Sequence, residues 1–310
     1  MRPSRHPSYE GRPLPRPDEE LFEQGLAFDL DTMNRRRALR ILGMGAGALT
    51  LAACGNRDES TSPTSSSTSG TSSAQSSSAQ ASSSGDVTEI PDETAGPYPG
   101  DGSNGPDVLE MDGVVRQDIT TSFGDYTGTA EGIPATVALT VTDMASVPMV
   151  GAAVYVWHCN RDGNYSLYSE GITEQNYLRG VQATDATGKV SFTSIFPACY
   201  SGRWPHIHFE IYSDLDSISD STNAIATSQI AIPQDACDAV YATSGYEQSV
   251  SNLAQLSLAT DNVFGNDSAA HQLATMSGDA QAGYTIALTA AVDTTTEPTG
   301  GSAPGGPPPG

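Results

Sequence analysis

The sequence predicts an all-β sandwich of the immunoglobulin or transthyretin kind, with an active site carried in long loops. Short segments rich in Val, Ile, Thr, Tyr and Phe recur through residues 88–295, several of them with period-two alternation. Turn signals such as Asp162-Gly163 and Thr187-Gly188 separate them, and no long amphipathic helical pattern competes. Strands punctuated by turns, without helices to cover a parallel sheet, point to two packed antiparallel layers.

In chain order the predicted strands begin with TVALTVTD at 136–143, which places Val137, Leu139 and Val141 on one face. AAVYVWH at 152–158 and VSFTSIF at 190–196 follow, then PHIHFEIY at 205–212, SQIAI at 228–232 and GYTIALTAAV at 283–292. In PHIHFEIY the alternation sends Ile207, Phe209 and Ile211 to the core, and turns His206 and His208 together to the other face.

The flanks read differently. NRRRALR at 34–40 precedes ILGMGAGALTLAA, an apolar run shorter than the roughly 20 residues a membrane-spanning helix needs, so it reads as an export signal. The adjacent Arg35, Arg36 and Arg37 resemble a twin-arginine signal, and LAAC at 51–54 resembles a lipobox with Cys54 as the lipid-modified residue. Translation starts at Met1 or Met33. Residues 55–87 are mostly Ser, Thr, Ala, Gly and Gln, too poor in apolar area to offset ordering entropy, and form a predicted disordered linker. Residues 296–310 form a Pro/Gly-rich tail. The domain organisation is therefore an export signal with lipobox at 1–54, a linker at 55–87, a sandwich at 88–295 and a tail at 296–310. The expected location is extracytoplasmic, with the chain held at the outer face of the cytoplasmic membrane or the cell surface by lipid.

Beyond Cys54 six Lys and Arg stand against 30 Asp and Glu, a balance of about −24. Nucleic acid is excluded as a partner, because phosphate needs basic surface. Cys159, Cys199 and Cys237 remain after the anchor; in an oxidising compartment one pair can bridge, and the sequence does not choose the pair. Their spacing is not that of a zinc site.

Against so acidic a background YSGRWPHIHFEIY at 200–212 stands out. Imidazole is the commonest nitrogen ligand, and i, i+2 placement on a strand lets both rings reach one ion. Two phenols lie close in sequence: Tyr200, and Tyr165 after the RDGNY turn. Phenols beside imidazoles suit a hard trivalent ion such as ferric iron, which lowers the phenol pKa and keeps tyrosinate at neutral pH, whereas a carboxylate with two histidines would indicate Fe(II).

VYVWHCNRDGNYSLY and FPACYSGRWPHIHFEIY, with ETAGPYPGDG upstream and SQIAIP downstream, resemble the intradiol ring-cleavage dioxygenases, the family of catechol and protocatechuate dioxygenases, over about 90–235. The resemblance implies Fe(III) held by Tyr165, Tyr200, His206 and His208, with Tyr165 and His208 equatorial and Tyr200 and His206 axial. It implies that Arg203 stabilises negative charge on the ring, that Gln229 orients substrate or oxygen, and that Tyr200 leaves the metal as substrate arrives. A small aromatic diol and O2 are the implied partners, and a cis,cis-muconate the product. The sequence shows no obvious N-terminal helical dimerisation domain of the catechol-cleaving branch; homo-oligomer formation and the ring substituents stay open, with Tyr98 and Arg116 as candidates for substituent contact. Transthyretin-like binding modules share the strand rhythm without metal, and a surface iron-binding protein would share the ligands. The four-ligand set beside Arg203 favours the enzyme over a binding module.

Overall fold

The computed structural model describes residues 87–296, 298 and 299, together with the backbone of a short ladder pairing Ser8–Tyr9 with Arg12–Pro13. The chain divides into two units, one of residues 1–31 with 87–310 and one of residues 32–86, and the described residues belong to the first. Apart from that ladder, the predicted export signal with Cys54 and nearly all of the linker lie outside the described residues, as does the tail from residue 300.

Eight strands form two four-stranded sheets. They are β1 (Pro134–Asp143), β2 (Ala153–Trp157), β3 (Arg179–Ala183), β4 (Lys189–Ile195), β5 (His206–Tyr212), β6 (Ala226–Ala231), β7 (Thr275–Asp279) and β8 (Gly283–Val292). The first sheet has the order β4-β1-β8-β7, and the second β3-β2-β5-β6. All pairings are antiparallel except β1 with β8, which run parallel from Ala135 opposite Tyr284 to Asp143 opposite Val292.

In the first sheet alternation decides the faces. Ala135, Val137, Leu139 and Val141 of β1 are buried with Val190 and Phe192 of β4 and Ile286, Leu288 and Ala290 of β8. They meet Val154, Val156, Ile207, Phe209 and Ile211 from the second sheet, and this is the sandwich core. The second sheet departs from the one-sided expectation: β2, β5 and β6 are buried at every position. Its outer face, carrying Ala153, Tyr155, Trp157, Val181 and Tyr212, packs under Ala95, Val108, Leu109 and Val114 of the segment that precedes β1. His206 and His208 therefore face a second, interior layer and not solvent.

Two strands and two short helices were not foreseen. β3 reads RGVQA, with neither alternation nor β-branched density, and exists because β2 pairs it along its length. β7 is a polar, largely exposed edge held by β8. Helices α1 (Gln234–Tyr241) and α2 (Glu247–Leu253) follow β6 and are too short to show as an amphipathic pattern.

The layer over the second sheet is fastened by one side chain. Arg179 opens β3 and is 1% exposed. Its Nη1 donates to Pro99 O (2.7 Å) and Tyr155 Oη (3.1 Å), its Nη2 to Tyr98 O (2.9 Å) and Ser166 O (3.0 Å), and its Nε to Ser166 Oγ (3.1 Å). All five guanidinium hydrogens are used. Gly100, with φ +66°, lies so close that a Cβ there would stand 2.8 Å from Nη1. Arg179→Met is expected to strand buried carbonyls at about 1–3 kcal/mol each, lowering stability by about 3 kcal/mol or more in denaturant unfolding. Arg179→Lys, with three donors in place of five, should recover only part of that.

Candidate metal centre

Tyr165 is delivered by a turn built on Asn160. The Asn160 side chain accepts the backbone N–H of Asp162 (3.0 Å) and of Asn164 (2.9 Å), and its backbone N–H donates to Asn164 O at 2.8 Å. Gly163 sits in this turn at φ +86°, where a Cβ would also press on Tyr200 Cβ at 3.1 Å, so glycine is required twice over. The Tyr165 backbone is then tied by its N–H to Ser169 Oγ at 2.9 Å.

Tyr200 lies on the loop between β4 and β5, and the two helices secure that loop. Tyr241 Oη donates to Pro197 O (3.0 Å) and Tyr246 Oη to Phe196 O (2.8 Å). Ser249 Oγ accepts the Cys199 N–H (3.0 Å), and Asn252 Nδ2 donates to Cys199 O (2.8 Å). Cys159, Cys199 and Cys237 are all free and buried, so the open disulfide question resolves to three thiols.

The four side chains converge. Tyr200 Oη is 3.2 Å and Tyr165 Oη 3.5 Å from His206 Nε2, which is 3.0 Å from His208 Nε2. Spacings of this order suit donors that share one ion at about 2.1 Å each. His206 Nδ1–H donates to Trp204 O at 2.6 Å, which leaves the Nε2 lone pair free for a cation. His208 is set by stacking: Trp157 lies on it at 4.9 Å and 7°, and Tyr155 lies on Trp157 at 4.9 Å. Its Nδ1 is buried without a hydrogen-bond partner. Gly96, at φ +74°, passes so close over this ring that a Cβ would stand 3.3 Å from Cε1.

Burial, reinforced by the Arg203 charge, pushes His206 down to about 3. His208 is held well below its ordinary value by burial, then by His206 and Arg203. Both imidazoles are thus neutral donors. Burial raises Tyr165, with Tyr200 adding to it, and raises Tyr200 against the pull of Arg203. Phenols so placed ionise when a cation compensates them, and two neutral imidazoles with two phenols are a donor set that fits ferric iron. The third buried histidine, His158, is occupied at both nitrogens, by Cys159 O at 2.8 Å and Ser194 Oγ at 2.7 Å.

Arg203 and Gln229 border the cluster. Gln229 on β6 pairs in register with His208, accepts Arg203 Nη2 at 2.6 Å and donates to Thr94 O at 2.9 Å. Arg203 is also bound by Asp261 at 3.1 Å, and the sequence reading missed Asp261. That carboxylate is buried and accepts the backbone N–H of Trp204 (2.7 Å), Val263 (2.9 Å) and Phe264 (3.0 Å) as well. Nothing in the spacing of TDNVF ties it to residue 203; an aspartate before an apolar pair is the only trace. Of the two candidates for substituent contact, Tyr98 lies against Tyr165 with ring centroids 5.0 Å apart. Arg116 is instead spent on Arg179 O (2.6 Å) and Thr121 O and on the Phe123 ring. Cys54 is outside the described residues.

Fold and cluster together define a β-sandwich protein with a buried donor set of two tyrosines and two histidines. A family model described as Dioxygenase matches residues 104–218, which include all four donors and Arg203. The chain is 33% identical over 93 residues to a chlorocatechol 1,2-dioxygenase of Rhodococcus opacus, covering 24% of this chain and 36% of that one. It is 44% identical over 54 residues to catechol 1,2-dioxygenase 2 of Acinetobacter lwoffii, covering 17% and 19%. The matched part thus spans about a third or less of those relatives. An intradiol ring-cleavage dioxygenase structure from Tetranychus urticae superimposes with a TM-score of 0.52 at 24% identity, over 69% of this chain and 98% of that one, and shows a shared fold. The likeness to dioxygenases of the intradiol kind is thus carried by residues 104–218 and by the shared fold.

Glu93, beside Arg203, supplies a test of site electrostatics. Burial pushes its carboxyl up to about 8, against the attraction of Arg203 and with Asp267 and Asp261 adding repulsion. The folded chain keeps a proton that the unfolded chain releases above about 4.5, so this group's contribution to stability falls as pH rises from 4.5 to 8. Glu93→Gln should therefore gain stability relative to the parent across that window, by up to about 1.4 kcal/mol per pH unit, read from denaturant midpoints at a series of pH values.

Proposed function

We propose that the protein is a non-haem Fe(III) intradiol dioxygenase that opens the ring of a catechol-type aromatic between its two hydroxylated carbons, incorporating O2 and giving a cis,cis-muconate-type product. The observation that carries this is the convergence of Tyr165, Tyr200, His206 and His208 with Arg203 at their edge. The names of the relatives point the same way: they are chlorocatechol, catechol and hydroxyquinol 1,2-dioxygenases.

Ferric iron, when bound by the four donors, supplies the Lewis acid that holds the diol as a dianion and makes it reactive towards O2. The chain's own residues do the rest. Tyr200, half-buried where the other three donors are buried, would as tyrosinate take a proton from the incoming diol. Arg203, always charged, is fixed by Asp261 and Gln229 and stabilises negative charge developing on the ring. Gln229, held between Arg203 and Thr94, would keep Arg203 positioned at the edge of the donor cluster. Gly96 and the Tyr98 ring close the cluster from above and limit the water that reaches it.

Purified protein is expected to contain about one ferric ion per chain and to be coloured by tyrosinate-to-iron charge transfer. A panel of catechols added to it should drive oxygen uptake with ring-opened product; stoichiometric zinc and a colourless protein would defeat the proposal. Tyr200→Phe keeps most of the packing volume, so iron should still bind through the remaining three donors while turnover drops by about a hundredfold or more. Parental iron content, spectrum and turnover in that variant would remove Tyr200 from the mechanism.

We propose further that lipid on Cys54 tethers the domain outside the cytoplasmic membrane, with residues 55–87 as spacer. Cys54→Ala should move the protein from the membrane to the soluble fraction on fractionation.

A further inference from the structure

We infer that Asp261 is a positioning residue for the reaction: one buried carboxylate sets the guanidinium of Arg203 and, through the backbone of Trp204, the ring of His206. The inference rests on the dioxygenase reading above and adds to it the loop that holds two of the reacting groups in place.

Asp261 is 3% exposed, and its two oxygens divide the work. Oδ2 accepts Arg203 Nε–H at 3.1 Å and the Trp204 backbone N–H at 2.7 Å. Oδ1 accepts the backbone N–H of Val263 at 2.9 Å and of Phe264 at 3.0 Å, and stands 3.5 Å from Arg203 Nη2. Burial raises this carboxyl, but Arg203 and the three backbone N–H groups outweigh it and hold the group below its ordinary value. An anion so fixed gives the guanidinium a defined place to lie. Trp204 passes the constraint on. Its N–H is held by Asp261 and its indole Nε1–H by Ile232 O at 2.9 Å, so its own C=O is fixed where it accepts His206 Nδ1–H at 2.6 Å.

The same loop reaches both groups a second time. Phe264 is buried with its backbone N–H on Asp261; its ring stands edge-on to His206 with centroids 6.5 Å apart, and Arg203 Cζ lies 5.8 Å from its centroid. An amide cannot stand in for the carboxylate. The groups that Asp261 binds most closely are all N–H donors, so an asparagine, whichever way it turns, sets its own NH2 against two of them. It faces either Arg203 and Trp204, or Val263 and Phe264. The first case frees the guanidinium, and the second unseats the turn that carries residue 261. The position therefore calls for two acceptor oxygens, a requirement of charge and direction and not of volume.

The test has one arm on the metal-free protein and one on the iron-loaded protein. In the first, solvent exchange of the Arg203 Nε–H is followed by heteronuclear NMR, with Arg203→Met to identify the signal and Arg161, ion-paired with Glu131 towards the surface, as reference. Exchange in the parent is expected to be slower than at Arg161 by about a hundredfold or more, and Asp261→Asn to quicken it by about tenfold or more. In the second, iron content, KM for catechol and the single-turnover rate of ring opening are measured in Asp261→Asn, Arg203→Met and the double variant. Asp261→Asn is expected to keep its iron and to change KM less than about threefold, while the rate falls about a hundredfold. In the Arg203→Met background the same change should cost less than about fivefold, because the group it positions is gone. If Asp261→Asn does not fold, Asp261→Glu, which keeps both oxygens one methylene further out, takes its place with a rate loss of about tenfold. Unchanged Nε–H exchange, a rate loss matched by loss of iron, or a rate loss undiminished in the Arg203→Met background overturns the inference. Faster exchange in the variant with no ring opening by the parent overturns the dioxygenase reading and leaves the positioning standing.

Discussion

The arrangement depends on Arg179. A guanidinium buried at 1% exposure stays in place when all its donors are met, and here they are met by Tyr98, Pro99, Ser166 and Tyr155, which belong to three separate parts of the chain. The clamp draws the Gly96–Gly100 segment and the loop after Tyr165 onto the outer face of the second sheet. Without that lid the histidine face of β5 would be an ordinary solvated strand face. With it, the face becomes an interior in which lone pairs and phenols are held apart from water.

This second interior is polar, unlike the sandwich core behind it. Continuing along the same face from His206 and His208, β5 presents Glu210 and Tyr212, with Tyr212 Oη donating to Glu210 Oε2 at 2.8 Å. Burial, then the neighbouring charge of Asp101, holds the Glu210 carboxyl well above the ordinary carboxylate range. One strand thus serves two media: Ile207, Phe209 and Ile211 fill a dry core, while the residues between them build a network of hydrogen bonds and stacked rings. Any change that shifted the register of β5 by one residue would exchange the two and destroy both.

What the sequence disclosed follows from this geometry. The alternation in PHIHFEIY fixed the strand, its faces and the pairing of the histidines, because a period of two is a local property. Resemblance brought Tyr165, Tyr200, Arg203 and Gln229 to the same place, and the structure does bring them together. Asp261 escaped notice because its contact with Arg203 joins residues 58 positions apart across a loop with no period. Arg179 looked like one more member of a short list of cations, since its worth lies in carbonyls 80 residues upstream. Arg116 stood as a candidate for substituent contact for the same reason in reverse: an arginine shows its charge in sequence, but not which backbone oxygens will consume it.

The parallel pairing of β1 with β8 has a consequence for how the molecule is made. The domain's first strand finds its central partner in its last, with Ala135 opposite Tyr284, and β7 joins the sheet only through β8. A growing chain that has emerged as far as β6 can assemble the second sheet, yet β1 then has β4 on one side and an open edge on the other. Such contacts between distant residues are slow to form, and an exposed strand edge invites pairing with other chains. Completion waits for the final strand. Loss of only those last residues would leave the interior edge of β1 uncovered, and a nascent chain released early would be a candidate for aggregation well before its donor cluster had any metal to meet.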